Sequence, residues 1–128
     1  MNPISKRLTG HGTITYYNRS PDTLGTVYIQ LLHNIFAPGA KHDTNVPWSV
    51  EGVDLARVAA QGTTLTATSG TAPGYVVNGT VMQLRLPKVI PPGGSASFEF
   101  DWRLRVPPDG APRGGQDGEV YFISYLYP

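Results

Sequence analysis

Histidine, cysteine and paired carboxylates decide most of the chemistry a small chain can perform, and here they are sparse. The 128 residues contain three histidines and no cysteine. Without thiols, neither disulfides nor a thiolate metal site can hold the fold or carry chemistry, so stability has to come from packing. His11 stands beside Gly12, His33 before Asn34 and His42 before Asp43. None has a second histidine or a carboxylate at the spacing by which a helix holds zinc, and His-Glu-x-x-His is absent. The expectation is solvated histidines in loops or at strand ends, with no metal and no cofactor bound by this chain.

Other sources of chemistry fare no better. Glu99 and Asp101 lie two apart, as an acid/base pair would on a strand, but Arg103 and Arg105 follow on the same face and Arg85 falls on the expected neighbouring strand. Cross-strand charge pairing accounts for all five. No serine is flanked as Gly-x-Ser-x-Gly, and Pro92-Gly93-Gly94-Ser95 lacks the helix and lysine of a phosphate loop. No catalytic residue is expected, and the chain by itself is not read as an enzyme. Tyr121, Tyr125 and Tyr127 could form an aromatic ligand platform, although packing in a core or an interface is the commoner use of such residues. Asn18-Arg19-Ser20 and Asn78-Gly79-Thr80 match the glycosylation sequon, a pattern short enough to arise by chance in turns.

The elements that would position these residues are strands. In Ser95 to Val106, Phe98, Phe100, Trp102, Leu104 and Val106 alternate with Glu99, Asp101, Arg103 and Arg105. A period of two gives a strand one dry face and one wet face. Val81 to Leu86 repeats the pattern with Met82, Leu84 and Leu86 inward, and Lys88 to Gly94 supplies the reversal because proline cannot donate to a ladder and glycine tolerates positive φ. The two strands read as a hairpin whose apolar face needs a second layer.

The rest of the chain offers that layer. Gly12 to Tyr17 is a β-branched and aromatic run closed by the turn formers Asn18 to Asp22, and Val27 to Leu32 is a second strand. Asn34 to Trp48 reads as a long surface loop. Ser49 to Ala60 is predicted as strand in preference to a short helix, because Gln61-Gly62 then turns it into the β-prone Thr63 to Thr68. Asn78-Gly79 could be a two-residue turn or a bulge within one strand; the bulge is favoured because Tyr75 to Val77 is short for an independent strand. Pro107 to Gly118 reads as a twelve-residue loop, and Glu119 to Pro128 as a final strand apolar on both faces.

Fifteen glycines and twelve prolines, spread without a period between apolar runs, indicate many turns. Ten basic and nine acidic side chains are well mixed, for a net charge of +1, which argues against nucleic-acid or anionic-membrane partners. The N-terminus lacks the apolar core of a signal peptide, and no run approaches the ~18 apolar residues of a membrane-spanning helix. The prediction is a single all-β domain over 1–128, an antiparallel β-sandwich of six to eight strands. Its last strand is hard to protect on both faces. A fragment of a larger protein is expected, or a homodimer formed through the C-terminal strand with Tyr121, Tyr125 and Tyr127 at the interface.

Several blocks together carry a resemblance: Gly10 to Leu24, Leu31-Leu32-His33-Asn34, Val77 to Pro87, and Pro91 to Ser95. In order and spacing they resemble the N-terminal β-domain of aminopeptidase-N-like zinc metallopeptidases, particularly bacterial ones. The match covers most of the chain. It implies a saddle-like β-domain that contributes no catalytic residue, packs on the parent's catalytic domain and helps shape access to its cleft. Zinc is implied only in that later domain, since the family's zinc motif and its Gly-x-Met-Glu-Asn loop are absent here. The competing expectation is a sandwich-type binding or adhesion module that contacts a partner through loops such as Phe36 to Pro47 and Pro107 to Gly118.

Overall fold

A computed structural model describes residues 1–2, 4–41, 51–107 and 114–124. The strands are β1 (Arg7–Tyr17), β2 (Leu24–Gln30), β3 (Asp54–Ala60), β4 (Thr63–Leu65), β5 (Gly74–Asn78), β6 (Val81–Ile90), β7 (Ser95–Arg105), β8 (Gly114–Asp117) and β9 (Val120–Ile123). They form a four-stranded sheet ordered β1-β7-β3-β4, a three-stranded sheet ordered β2-β6-β5 and a two-stranded ribbon of β8 and β9. The ladders between these strands are antiparallel, and an isolated parallel bridge joins Ala67 to Tyr75. The predicted all-β sandwich is the architecture observed.

The alternation in β7 is realised residue by residue. Phe98 and Phe100 are 1% exposed, and Trp102, Leu104 and Val106 are also buried. Facing them from the smaller sheet are Met82, Leu84, Leu86 and Ile90 of β6, joined by Leu31 just after β2. Val58, Ala60 and Leu65 extend the same core beneath β3 and β4. A bulge-like register shift between Leu55 and Arg57 lets Leu55 oppose Trp102 and Arg57 oppose Asp101, so the inward and outward rows of β3 both stay in phase with β7.

The connection from β6 to β7 departs from the predicted hairpin. These strands belong to different sheets, so Pro91-Pro92-Gly93-Gly94 turns the chain from one layer into the other. The alternating pattern is the same in a hairpin and in two facing strands, and two strands that both need their dry face covered can cover each other. Strand β6 also runs on through Pro87 to Ile90, beyond the predicted end at Leu86. Its pairing with β2 slips register between Leu24 and Thr26, opposite the Pro87 region, where proline has no N–H to give the ladder.

Three other expectations are corrected. Asn78 pairs with Val81, so Gly79 and Thr80 form a two-residue turn and β5 is an independent strand; the favoured bulge is not found. Gly79 has φ +58, the positive value that type II′ hairpins place at their first central position. A 3-10 turn over Leu32–Phe36 takes in Leu32, read as the end of the second strand, and the start of the predicted surface loop, and it buries His33, Asn34 and Phe36. Gly114–Asp117, taken as loop, is β8; Gly114 and Gly115 are buried against β9, a pairing that glycine-rich composition does not announce. The preference for strand over helix in Asp54–Ala60 holds, with Gln61 (φ 52) and Gly62 (φ 79) as its turn.

Candidate functional site

The Gly10-His11-Gly12 block lies in the middle of β1 and faces two ways. Gly10 and Gly12 point inward beneath the Trp102 indole. A Cβ on Gly10 would lie 2.3 Å from Trp102 Cε2, and one on Gly12 would lie 3.4 Å from Cη2. The two glycines are therefore the seat of the largest side chain in β7. Among the described residues the buried Trp102 Nε1–H meets no acceptor. Burying this donor is tolerated because the rest of the ring fills the space that the glycines leave.

His11 projects from the opposite face and is paired there with Asp101 across the β1/β7 ladder. Arg57 Nη1 donates to Glu99 Oε2 at 2.8 Å, Arg103 approaches Asp54 at 3.9 Å, and Arg7 pairs with Glu51. The Glu99 hydrogen bond holds the Arg57 guanidinium above its ordinary pKa, against a smaller opposing effect of desolvation. The expected cross-strand charge pairing is thus present for Glu99, Asp101 and Arg103, with partners from β1 and β3, but Arg105 forms no ion pair among the described residues. Arg85 takes no part. It lies in the other sheet and donates to the carbonyl oxygens of Thr68 and Ala72.

An imidazole beside a carboxylate can orient a general base, but no hydroxyl is hydrogen-bonded to His11 among the described residues. The ring is 64% exposed to water. This face is a solvated charge lattice. Among the described residues there is no group of three or more histidine, aspartate or glutamate side chains placed to hold a metal.

Two buried asparagines do the positioning that the sequence left without an owner. Asn18 is fully buried at the corner between β6 and β7. Its Nδ2 donates to the carbonyl oxygens of Asp22 (2.7 Å), Ile90 (3.0 Å) and Pro91 (3.1 Å), while its Oδ1 accepts from Ser20 N and Oγ. Backbone bonds from Asn18 N to Gly94 O and from Gly93 N to Asn18 O complete the joint. The sequon asparagine at 18 is thus a structural bolt. In the sequence it is marked as a turn former closing an apolar run and as part of a sequon, neither of which points to a buried carboxamide.

Asn34 repeats the device at the other end of the smaller sheet. Its Nδ2 donates to Gly79 O and its Oδ1 accepts from Val53 N, both at 2.8 Å. Leu31 N adds a bond to Thr80 O. These contacts fix the 3-10 turn against the β5/β6 turn and leave beside them an open groove of about 690 Å³, lined in part by Asn34, Ala37, Lys41, Val77, Asn78 and Thr80. A volume of that order suits a small molecule or a few residues of a peptide. The described lining offers uncharged hydrogen-bonding groups and one cation.

His33 is buried in the same turn, 6.2 Å from the Phe36 ring, which corrects the expectation of a solvated histidine. Tyr121 packs with Ile123 against the core, whereas Val120 and Phe122 are the exposed apolar residues of β9. Tyr125, Tyr127 and His42 lie outside the described residues. Compared with models of known protein families, with curated proteins and with solved structures, the chain matches none.

Proposed function

We propose that this chain is a noncatalytic β-domain of an aminopeptidase-N-like zinc metallopeptidase, packing on the catalytic domain and shaping access to its cleft. One observation supports the reading above others. The four blocks that carry the resemblance meet in pairs: Asn18 of the first is hydrogen-bonded to the Pro91-to-Gly94 corner, and Asn34 of the second to the turn at Gly79. Segments more than forty residues apart in sequence thus serve as the joints of the sandwich. Motifs of that kind maintain a scaffold and need no chemistry of their own, as expected of a domain whose enzyme carries its zinc elsewhere.

The test is to read the gene beyond codon 128 and express the downstream segment. A His-Glu-x-x-His with a distal glutamate in that segment, and a stable complex between it and this chain, are expected. An extended open reading frame without a zinc motif sinks the proposal. The groove between the 3-10 turn and the β5/β6 turn supports a second reading, a binding module that takes a short polar ligand there without any link to peptidase activity. Binding of partner peptides by the isolated chain, abolished by Lys41→Glu, would favour it.

A further inference from the structure

We propose that Asn78 is a site of spontaneous covalent modification, through which the β5/β6 turn and the groove beside it change charge and backbone length with age. The argument rests on what holds each asparagine. Four lie among the described residues: Asn2, Asn18, Asn34 and Asn78. Asn2 is followed by Pro3, which has no N–H, and its Oδ1 already accepts from Ile4 N and Ser5 N. The Asn18 and Asn34 carboxamides are buried and bonded at both ends, and Arg19 and Ile35 follow them. Among these four, Asn78 alone is exposed with no hydrogen bond on its carboxamide from a described residue, and glycine follows it.

The chemistry needs only water. The Gly79 backbone nitrogen attacks Asn78 Cγ; an N–Cγ bond forms, the Cγ–Nδ2 bond breaks, and ammonia leaves with the proton released from Gly79 N–H. Water then opens the resulting five-membered imide. Cleavage of the new N–Cγ bond gives aspartate; cleavage of the original peptide bond gives isoaspartate, with the main chain rerouted through Cγ. Gly79 N–H makes no hydrogen bond among the described residues, and glycine brings no side chain to obstruct the approach. Gly79 also sits at φ +58 with nothing within 4 Å of its Cβ position, so the turn is open to solvent on that side.

The consequences come from the contacts. Either product places a carboxylate on a groove rim whose one charged residue, among those described, is Lys41. Isoaspartate further inserts a carbon into the main chain next to two anchors, Gly79 O on Asn34 Nδ2 and Thr80 O on Leu31 N. It therefore loosens the clamp that holds the 3-10 turn, whereas aspartate leaves it intact. The modification is one-way, and it proceeds faster as pH rises because the attacking amide must lose its proton.

The intact chain, incubated at pH 8 and 37 °C and sampled over weeks, is mapped by peptide mass spectrometry with enzymatic isoaspartate labelling, beside the same chain held unfolded in urea. Loss of ammonia at Asn78 is expected, with Asn18 and Asn34 unchanged in the folded chain. The folded rate at Asn78 should fall within about tenfold of the unfolded rate, the factor that 1.4 kcal/mol of local opening imposes. If Asn78 survives in the folded chain while it reacts in urea, the hairpin protects it and the proposal is overturned. Asn78→Asp supplies the second readout: it should keep the wild-type melting temperature, whereas fractions enriched in isoaspartate should melt lower. Equal melting of the two would overturn the claim that the clamp is affected.

Discussion

At the scale of single residues, glycine and asparagine matter as much here as the large apolar side chains. Trp102 is 6% exposed, and Trp102→Ala should destabilise the domain by about 3–5 kcal/mol, measured by urea unfolding, because removal leaves a cavity under two glycines that cannot fill it. Gly10→Ala adds one methyl where the indole already lies, and overpacking of this kind costs roughly 1–3 kcal/mol. Combining Gly10→Ala with Trp102→Leu should cost less than the sum of the two single changes, since each relieves the other. Strict additivity would mean that β1 shifts independently of the indole. Asn18→Ala takes the side-chain partner from the Ile90 carbonyl oxygen and from the Ser20 N–H at a buried corner, whereas Asp22 O keeps Ser20 Oγ and Pro91 O keeps Gly94 N. Each unsatisfied group costs about 1–3 kcal/mol unless water enters, so a loss exceeding that of any surface asparagine is expected in the same unfolding measurement.

At the scale of elements, the β3/β4 and β5/β6 hairpins obey different turn rules. The β3/β4 turn has positive φ at both Gln61 and Gly62, the type I′ pattern, whereas in the β5/β6 turn only Gly79 is positive. Nothing lies within 4 Å of a Cβ on Gly62, so Gly62→Val isolates the conformational penalty from packing. A loss of about 1–2 kcal/mol is expected for a side chain forced into the left-handed region, read as a lower denaturation midpoint with unchanged slope. Gly62→Asn should lose much less, because asparagine tolerates that region. The ion pairs on the outer face of the larger sheet stand in contrast. A double-mutant cycle on Arg57 and Glu99 should return little coupling, and less still at high salt, since both side chains are about one-third exposed and water screens the pair.

At the scale of the whole molecule, β9 is paired only with β8 among the described residues, and it presents Val120 at 65% and Phe122 at 44% exposure. An unpaired strand edge beside an apolar face is a template for another chain. Self-association of the isolated protein at micromolar concentrations is expected by light scattering, and Phe122→Lys should return it to monomer. A monomer at all concentrations would show that this ribbon is protected within its own chain. Should the downstream segment of the proposed parent cover β9, adding that segment should dissolve the self-association as well.

Local pattern is enough to set the strands of the core and their faces. Alternation in Ser95–Arg105 and Val81–Leu86 is a local property, imposed by a backbone that sends successive side chains to opposite sides, and it named Phe98, Phe100, Trp102, Leu104, Met82 and Leu84 as one core before any partner was known. Turn chemistry at Gln61-Gly62 was equally local. Tertiary structure alone decided which strands share a sheet. An inward row looks identical whether its neighbour lies beside it or across from it, so β6 and β7 read as a hairpin although they face each other from two layers. The same holds for Asn18 and Asn34: a buried carboxamide is defined by carbonyl groups that reach it from distant segments, and nothing in its own neighbourhood specifies them. Strand β8 became legible only once β9 was there to pair with its glycines, because hydrogen bonding across the ribbon outweighs their poor propensity for extended structure.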